Sequence, residues 1–258
     1  MKYEEAKKAI LVRLAAGELI PVDTNVIISA AEKKDTDFLE KLKSSPLFMP
    51  TNVNINEING LVINQRFDAT TLQILSSFAQ AVKNRIGTPA DTKRLERELS
   101  ELAPLLPRSV ANYVIITFVT NLIKRYRSLV QEVAKLTQEK LDELSNIYKK
   151  EVAELKSKCE ERYFELIDKL AIGEFDDKKY FADVNKFLNK SVHEIEQVAV
   201  EARGDINMIL VKLQELKDKT YYADIKFVAT AIATGTTGIS QDSDVLWLFT
   251  FHALRRVS

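Results

Sequence analysis

Apolar residues fall into short runs near both ends of the chain and into one long helical stripe between them. Near the start, Ile10, Leu11 and Leu14 recur at helical spacing and Gly17 follows as a stop, which predicts a helix over 2–16. Residues 19–22 and 47–49 read as short buried strands; Pro21 sits awkwardly in the first, because proline has no ladder donor. Helices are predicted over 25–32 and 35–43, and Thr51 or Asn52 caps a further one that carries Glu57 in its second turn. Toward the other end, 221–234 is an apolar helix closed by Gly235, 236–240 a strand and 243–255 a final helix. This alternation predicts an α/β fold, a small parallel sheet flanked by helices.

The middle of the chain has almost no strand signal. Pro89, Pro104 and Pro107 punctuate two predicted helices, 71–85 and 90–102, and then neither proline nor glycine occurs from 109 to 172. Leu129, Val133, Leu136, Leu141, Leu144, Tyr148, Val152, Leu155, Cys159, Tyr163, Leu166 and Leu170 recur there mostly at spacings of three and four. That pattern is one long amphipathic helix or two nearly continuous ones. Gly173 and Asp176-Asp177 form a turn, and 178–217 returns as a second arm. The predicted organisation is a core in two halves, 1–69 and 205–258, interrupted by an all-helical insertion, 70–204, shaped as a hairpin or bundle. An apolar stripe only partly covered by its own chain would leave a surface for a second copy or a protein partner.

Composition narrows the function. The 258 residues are 46% apolar, enough for a real core, and 37 basic residues balance 37 acidic ones. There is no global basic field, so any contact with nucleic acid is local. One cysteine and two histidines, His193 and His252, leave no disulfide, cysteine zinc cluster or histidine metal site to build. The start carries Glu4 and Glu5 where a signal peptide would not, and the most apolar run, 110–123, falls short of the roughly 20 residues that cross a bilayer. These features predict a cytoplasmic chain with no membrane association. No glycine-rich phosphate loop and no Ser-His-Asp set can be assembled, which removes P-loop hydrolysis and acyl chemistry.

What remains is a set of carboxylates at the ends of predicted elements: Asp23, Glu57, Asp224, and the pair Asp242 and Asp244. Each has an ordinary alternative. Asp23, Asp224 and Asp242 could cap the helices that follow them, and Glu57 could be a solvated helix residue. Gathered in one place, they would repel one another and raise their own pKa values unless a cation joined them. Carboxylates around Mg2+ or Mn2+ are the expected equipment for hydrolysing a phosphodiester at neutral pH. Lys83, Arg85, Lys93, Arg94 and Arg97, and separately Lys124, Arg125 and Arg127, are local basic stretches that could follow a phosphate backbone or be balanced by neighbouring acids.

The order of these acids resembles the PIN-domain ribonucleases, including archaeal members, over roughly 17–66 and 205–258. Asp23-Thr24-Asn25 matches the family's first acidic turn, and Glu57 its second acid after a proline-containing turn. Ala223-Asp224-Ile225 matches the third, and Ser240-Gln241-Asp242-Ser243-Asp244 the last. The resemblance implies a PIN-like α/β core and a metal-dependent endoribonuclease, with RNA as substrate and Mg2+ or Mn2+ as cofactor. It implies Asp23, Glu57, Asp224 and Asp242 as metal ligands and catalytic acids, Asp244 as an outer acid, and Thr24, Asn25 and Ser240 as orienting groups. The large helical insertion also resembles, in outline, the small protein-only ribonuclease P enzymes, although Thr220-Tyr221-Tyr222 stands where those carry extra acids. A silent PIN-like scaffold that works through its helical arm is the alternative from outside enzymology.

Overall fold

Side chains take over the orphan N–H groups at most of the early helix starts. In the computed structural model, which describes residues 1–87, 89–132, 138–201 and 222–255, helix α1 (Tyr3–Ala15) ends before Gly17 at φ +78°. Asp23 caps α2 (Thr24–Glu32), Asp35 caps α3 (Thr36–Ser44), Thr51 caps α4 (Asn52–Ile63) and Asp68 caps α5 (Ala69–Val82). Two strands, β1 (Ile20–Pro21) and β2 (Phe48–Met49), lie between these helices. Then come α6 (Thr92–Leu102), α7 (Pro107–Glu132), α8 (Gln138–Leu170), α9 (Asp177–Glu201), α10 (Tyr222–Ala233) and α11 (Ser243–Leu254).

The protein is mostly helical, which corrects the expected PIN-like α/β fold. Among the described residues the only sheet is the parallel pair β1 and β2, with Ile20 opposite Phe48 and Pro21 opposite Met49. The strand expected over 236–240 is reduced to a single parallel bridge between Val22 and Ile239. Pro21 supplies a physical reason. The Ile20 N–H points toward β2 and donates to the Leu47 carbonyl at 2.8 Å, while Pro21 faces the other way and its carbonyl accepts from the Ile239 N–H at 3.1 Å. The return bond, from an N–H at position 21 to the Thr237 carbonyl, cannot form on proline. That carbonyl accepts from Arg13 Nη1 instead, at 2.7 Å.

The chain divides into two compact units, Met1–Leu102 with Tyr221–Ala253, and Ala103–Thr220 with Leu254–Ser258. The sequence boundaries fell at 69/70 and 204/205, whereas here α5 and α6 stay with the first unit. Amphipathic α5 buries Leu75, Phe78, Ala79 and Val82 in the same core as Ile10, Ile20, Val22, Ile27, Phe48, Ile58 and Ile239. Arg85, in one of the local basic stretches, is used structurally: its guanidinium donates to the carbonyls of Lys43 and Ser45 and, at 3.0 Å, to that of Phe48. Arg94 pairs with Glu98 at 3.0 Å.

In the second unit α8 packs on α7 and α9. Leu155, Cys159, Tyr163 and Leu166 are buried, so this part of the stripe is covered within its own chain. The side chains of Leu129, Val133 and Leu144 lie outside the described residues. Tyr163 stacks against Tyr180 with ring centroids 4.5 Å apart and donates to Asp177 Oδ1 at 3.1 Å. Burial pushes the Cys159 thiol up to about 12, as suits a small apolar core residue. Among the described residues no single helix is long and apolar enough to cross a membrane.

Candidate functional site

The first unit places Asp23 where β1 hands over to α2, and both its carboxylate oxygens are fixed. Oδ1 accepts from the Thr24 N–H at 2.7 Å, and Oδ2 accepts from the Ser240 hydroxyl at 2.5 Å. The Asp23 N–H donates to the Ile239 carbonyl at 2.9 Å, which brings the Ser240 segment alongside. Ser240 Oγ in turn accepts from Asn25 Nδ2 at 3.0 Å and from the Asp242 N–H at 2.8 Å, while Asn25 Oδ1 accepts from the Gln241 N–H at 3.2 Å. Asp23-Thr24-Asn25 and Ser240-Gln241-Asp242 are thus zipped together. Asp242 Oδ1 accepts from the Asp244 N–H at 2.8 Å, so Asp242 also serves the start of α11.

Glu57 reaches the site from the second turn of α4, whose direction is set by a capping box. The Thr51 hydroxyl accepts from the Asn54 N–H at 3.3 Å, and Asn54 Oδ1 accepts from the Thr51 N–H at 2.8 Å and from its hydroxyl at 2.9 Å. Asn54 is fully buried and spends its amide on the next element: Nδ2 donates to the Val22 carbonyl and to Thr24 Oγ1, both at 3.0 Å. Thr24 in turn hydrogen-bonds the Glu57 carboxylate. Asn54 therefore ties the two acid-bearing segments together, a role with no counterpart in the sequence-based site. The Thr51-Asn52-Val53-Asn54 box is the signal that points to it.

Asp23, Glu57, Asp224 and Asp242 line one cleft of about 390 Å³, together with Thr24, Asn25, Ile28, Gly60, Leu61, Asn64 and Arg66. Asp224 comes from the first turn of α10. Asp244 does not line the cleft; it is fully buried in the first turn of α11. Burial pushes the Asp23 carboxyl up to about 7; the Ser240 and Thr24 hydrogen bonds oppose the rise, and the charges of Glu57 and Asp242 add to it. Burial likewise raises Glu57, against the Thr24 hydrogen bond. Among the described residues no three His, Cys, Asp or Glu side chains already stand at metal-holding spacing. The four acids share a cleft without yet converging on one point.

The donors are all hard oxygens, the kind Mg2+ and Mn2+ take, and the charges of Glu57 and Asp242, which add to the rise that burial gives Asp23, are the kind a cation offsets. The donor chemistry suits such an ion; the spacing of the four acids does not itself form a ready site. Compared with protein-family models, curated proteins and solved structures, the chain matches none of them.

Proposed function

We propose that the first unit is a metal-dependent endoribonuclease, hydrolysing RNA phosphodiester bonds at the cleft lined by Asp23, Glu57, Asp224 and Asp242. The observation that carries this is the meeting of four carboxylates from four separate chain segments in one cleft, two of them with raised proton affinity. Buried acids with raised proton affinity, gathered in one cleft, are costly as mere structure and useful once a cation is bound. Bound Mg2+ or Mn2+ would supply charge neutralisation on the phosphate and a more acidic water.

The chain's own residues do the positioning. Ser240 and the Thr24 N–H aim the Asp23 carboxylate, and the Thr24 hydroxyl, oriented by Asn54, steadies Glu57. Asp242 is held by its contacts to Ser240 and the Asp244 N–H. The acid order shared with PIN-domain ribonucleases, Asp23, Glu57, Asp224 and Asp242, supports RNA as the polymer.

The test is Mn2+ titration by calorimetry beside cleavage of single-stranded and structured RNA. Saturable Mn2+ binding and cleavage are expected for the wild type, and both should be lost in Asp23→Asn and in Glu57→Gln. Cleavage that persists at full rate in EDTA, or in the Asp23→Asn and Asp242→Asn double variant, would sink the proposal.

A further inference from the structure

The cleft extends beyond its acids along one face of α4. Glu57, Gly60, Leu61 and Asn64 stand at helical spacings of three and four, so they share a face, and the lining ends at Arg66. About 10 Å of helix separates Glu57 from Asn64 at 1.5 Å per residue. Two features of that strip have no structural explanation in the fold.

One is Gly60, in the interior of a helix, where glycine costs about 1 kcal/mol relative to alanine. A Cβ there would meet nothing within 4 Å, so packing does not require the glycine. Its effect is to leave the cleft floor bare. The other is Arg66, which is exposed and, among the described residues, supplies the cleft's only basic side chain and makes no ion pair. Its backbone is fixed: α4 closes with the Arg66 N–H donating to the Leu61 carbonyl at 3.4 Å and the Gln65 N–H to the Val62 carbonyl at 3.3 Å. Gln65 takes the left-handed conformation, φ +48°, that such a closure needs and that glycine would adopt more easily.

An acid-lined cleft repels a polyanion, so a guanidinium at its far end that makes no ion pair among the described residues has a use. We infer that Arg66 binds a backbone phosphate of the RNA strand neighbouring the one that is cleaved, the strand passing over the bare surface at Gly60. The inference rests on the nuclease proposal for the choice of polymer. A guanidinium can hold a phosphate through two parallel N–H bonds, which fixes the register of the strand against the acids.

The experiment is equilibrium binding of a fluorescein-labelled single-stranded RNA to the full chain, in EDTA and in Ca2+, across a salt series, with Mn2+-dependent cleavage measured in parallel. Arg66→Ala should weaken binding about tenfold and reduce the slope of log affinity against log salt by about one. Arg66→Lys should restore the slope but only part of the affinity. Gly60→Leu should lose binding while melting no lower than the wild type, because a Cβ at that position meets no atom within 4 Å and leucine favours a helix interior over glycine. Binding by Arg66→Ala within twofold of the wild type, with an unchanged salt slope, overturns the inference, as does a wild-type chain that binds no RNA. Arg66-dependent binding without metal-dependent cleavage supports the inference and sinks the nuclease proposal; cleavage with Arg66-independent binding does the reverse.

Discussion

The Ser240 hydroxyl must give its proton to Asp23, because both its lone pairs are taken by Asn25 Nδ2 and the Asp242 N–H. The 2.5 Å bond to Oδ2 therefore favours an ionised Asp23 in a place where burial favours the neutral acid. Ser240→Ala removes that donor and strands two others. It should destabilise the fold by about 1–3 kcal/mol and move the pH at which Mn2+ begins to bind upward. Urea melts and calorimetry at several pH values check both. A variant that binds Mn2+ with the wild-type pH profile would show that Ser240 does not govern the charge of Asp23.

The same carboxylate sets a pH dependence of stability. Its pKa is raised in the folded state to about 7 from an ordinary 3.8, so between those values the fold holds a proton that the unfolded chain has lost. The stability this contributes is full below about pH 4 and disappears as pH rises through about 7, by at most about 4 kcal/mol. Glu57, also raised, acts with the same sign. Urea midpoints of the metal-free protein should fall from pH 4.5 to pH 8, and Mn2+ should recover the loss at the upper end. A midpoint that rises over that interval would contradict the assignment.

Asn54 offers a different test, since its amide has no charge to lose. Asn54→Ala leaves the Val22 carbonyl and the Thr51 N–H without their buried partners and frees Thr24 from its donor. A loss of about 2–4 kcal/mol is expected, with weaker Mn2+ binding because Glu57 is no longer steadied. Melting and metal titration on the same variant separate the two effects. Loss of stability with unchanged metal affinity would confine Asn54 to the fold.

Helix positions and several caps were legible from spacing alone: Gly17 ends α1, Asp35 caps α3, Thr51 caps α4, and Glu57 falls in the second turn as expected. The resemblance to PIN-domain ribonucleases picked out Asp23, Glu57, Asp224 and Asp242, which do line one cleft, and set Asp244 beside them, whose burial in the first turn of α11 depends on tertiary packing. Spacing overestimated the sheet, because short apolar runs look alike in a two-residue strand and a five-residue one, and ladder length depends on donors supplied by other segments. Asn54 escaped because its role lies in partners 30 and 32 residues away.

Gly238 shows how closely the last segment approaches the rest of the first unit. A Cβ at that position would lie 2.6 Å from Phe227 Cζ and 2.7 Å from its Cε1, and Phe227 is fully buried. Gly238→Ala should therefore cost about 1–3 kcal/mol and disturb the bonds that Ile239 makes to Pro21 and Asp23. Melting temperature and Mn2+ affinity should fall together. A variant with unchanged Tm would mean that the Phe227 ring moves aside without strain.

Pro21 gives the sharpest test of why the sheet is so small. Pro21→Val returns an N–H at the position where the register aims it at the Thr237 carbonyl, and a carbonyl oxygen can accept from that group and from Arg13 Nη1 together. The ladder between β1 and the Ile239 segment should lengthen. In hydrogen exchange the amide introduced at position 21 is expected to be as protected as that of Ile239, with stability unchanged or raised by up to about 1 kcal/mol. If that amide exchanges as fast as one in an exposed loop, the missing donor is not what limits the sheet, and the pull of Arg13 on the Thr237 carbonyl becomes the better explanation. Pro21→Val combined with Arg13→Ala distinguishes the two, because removing the competing guanidinium would then restore protection at position 21.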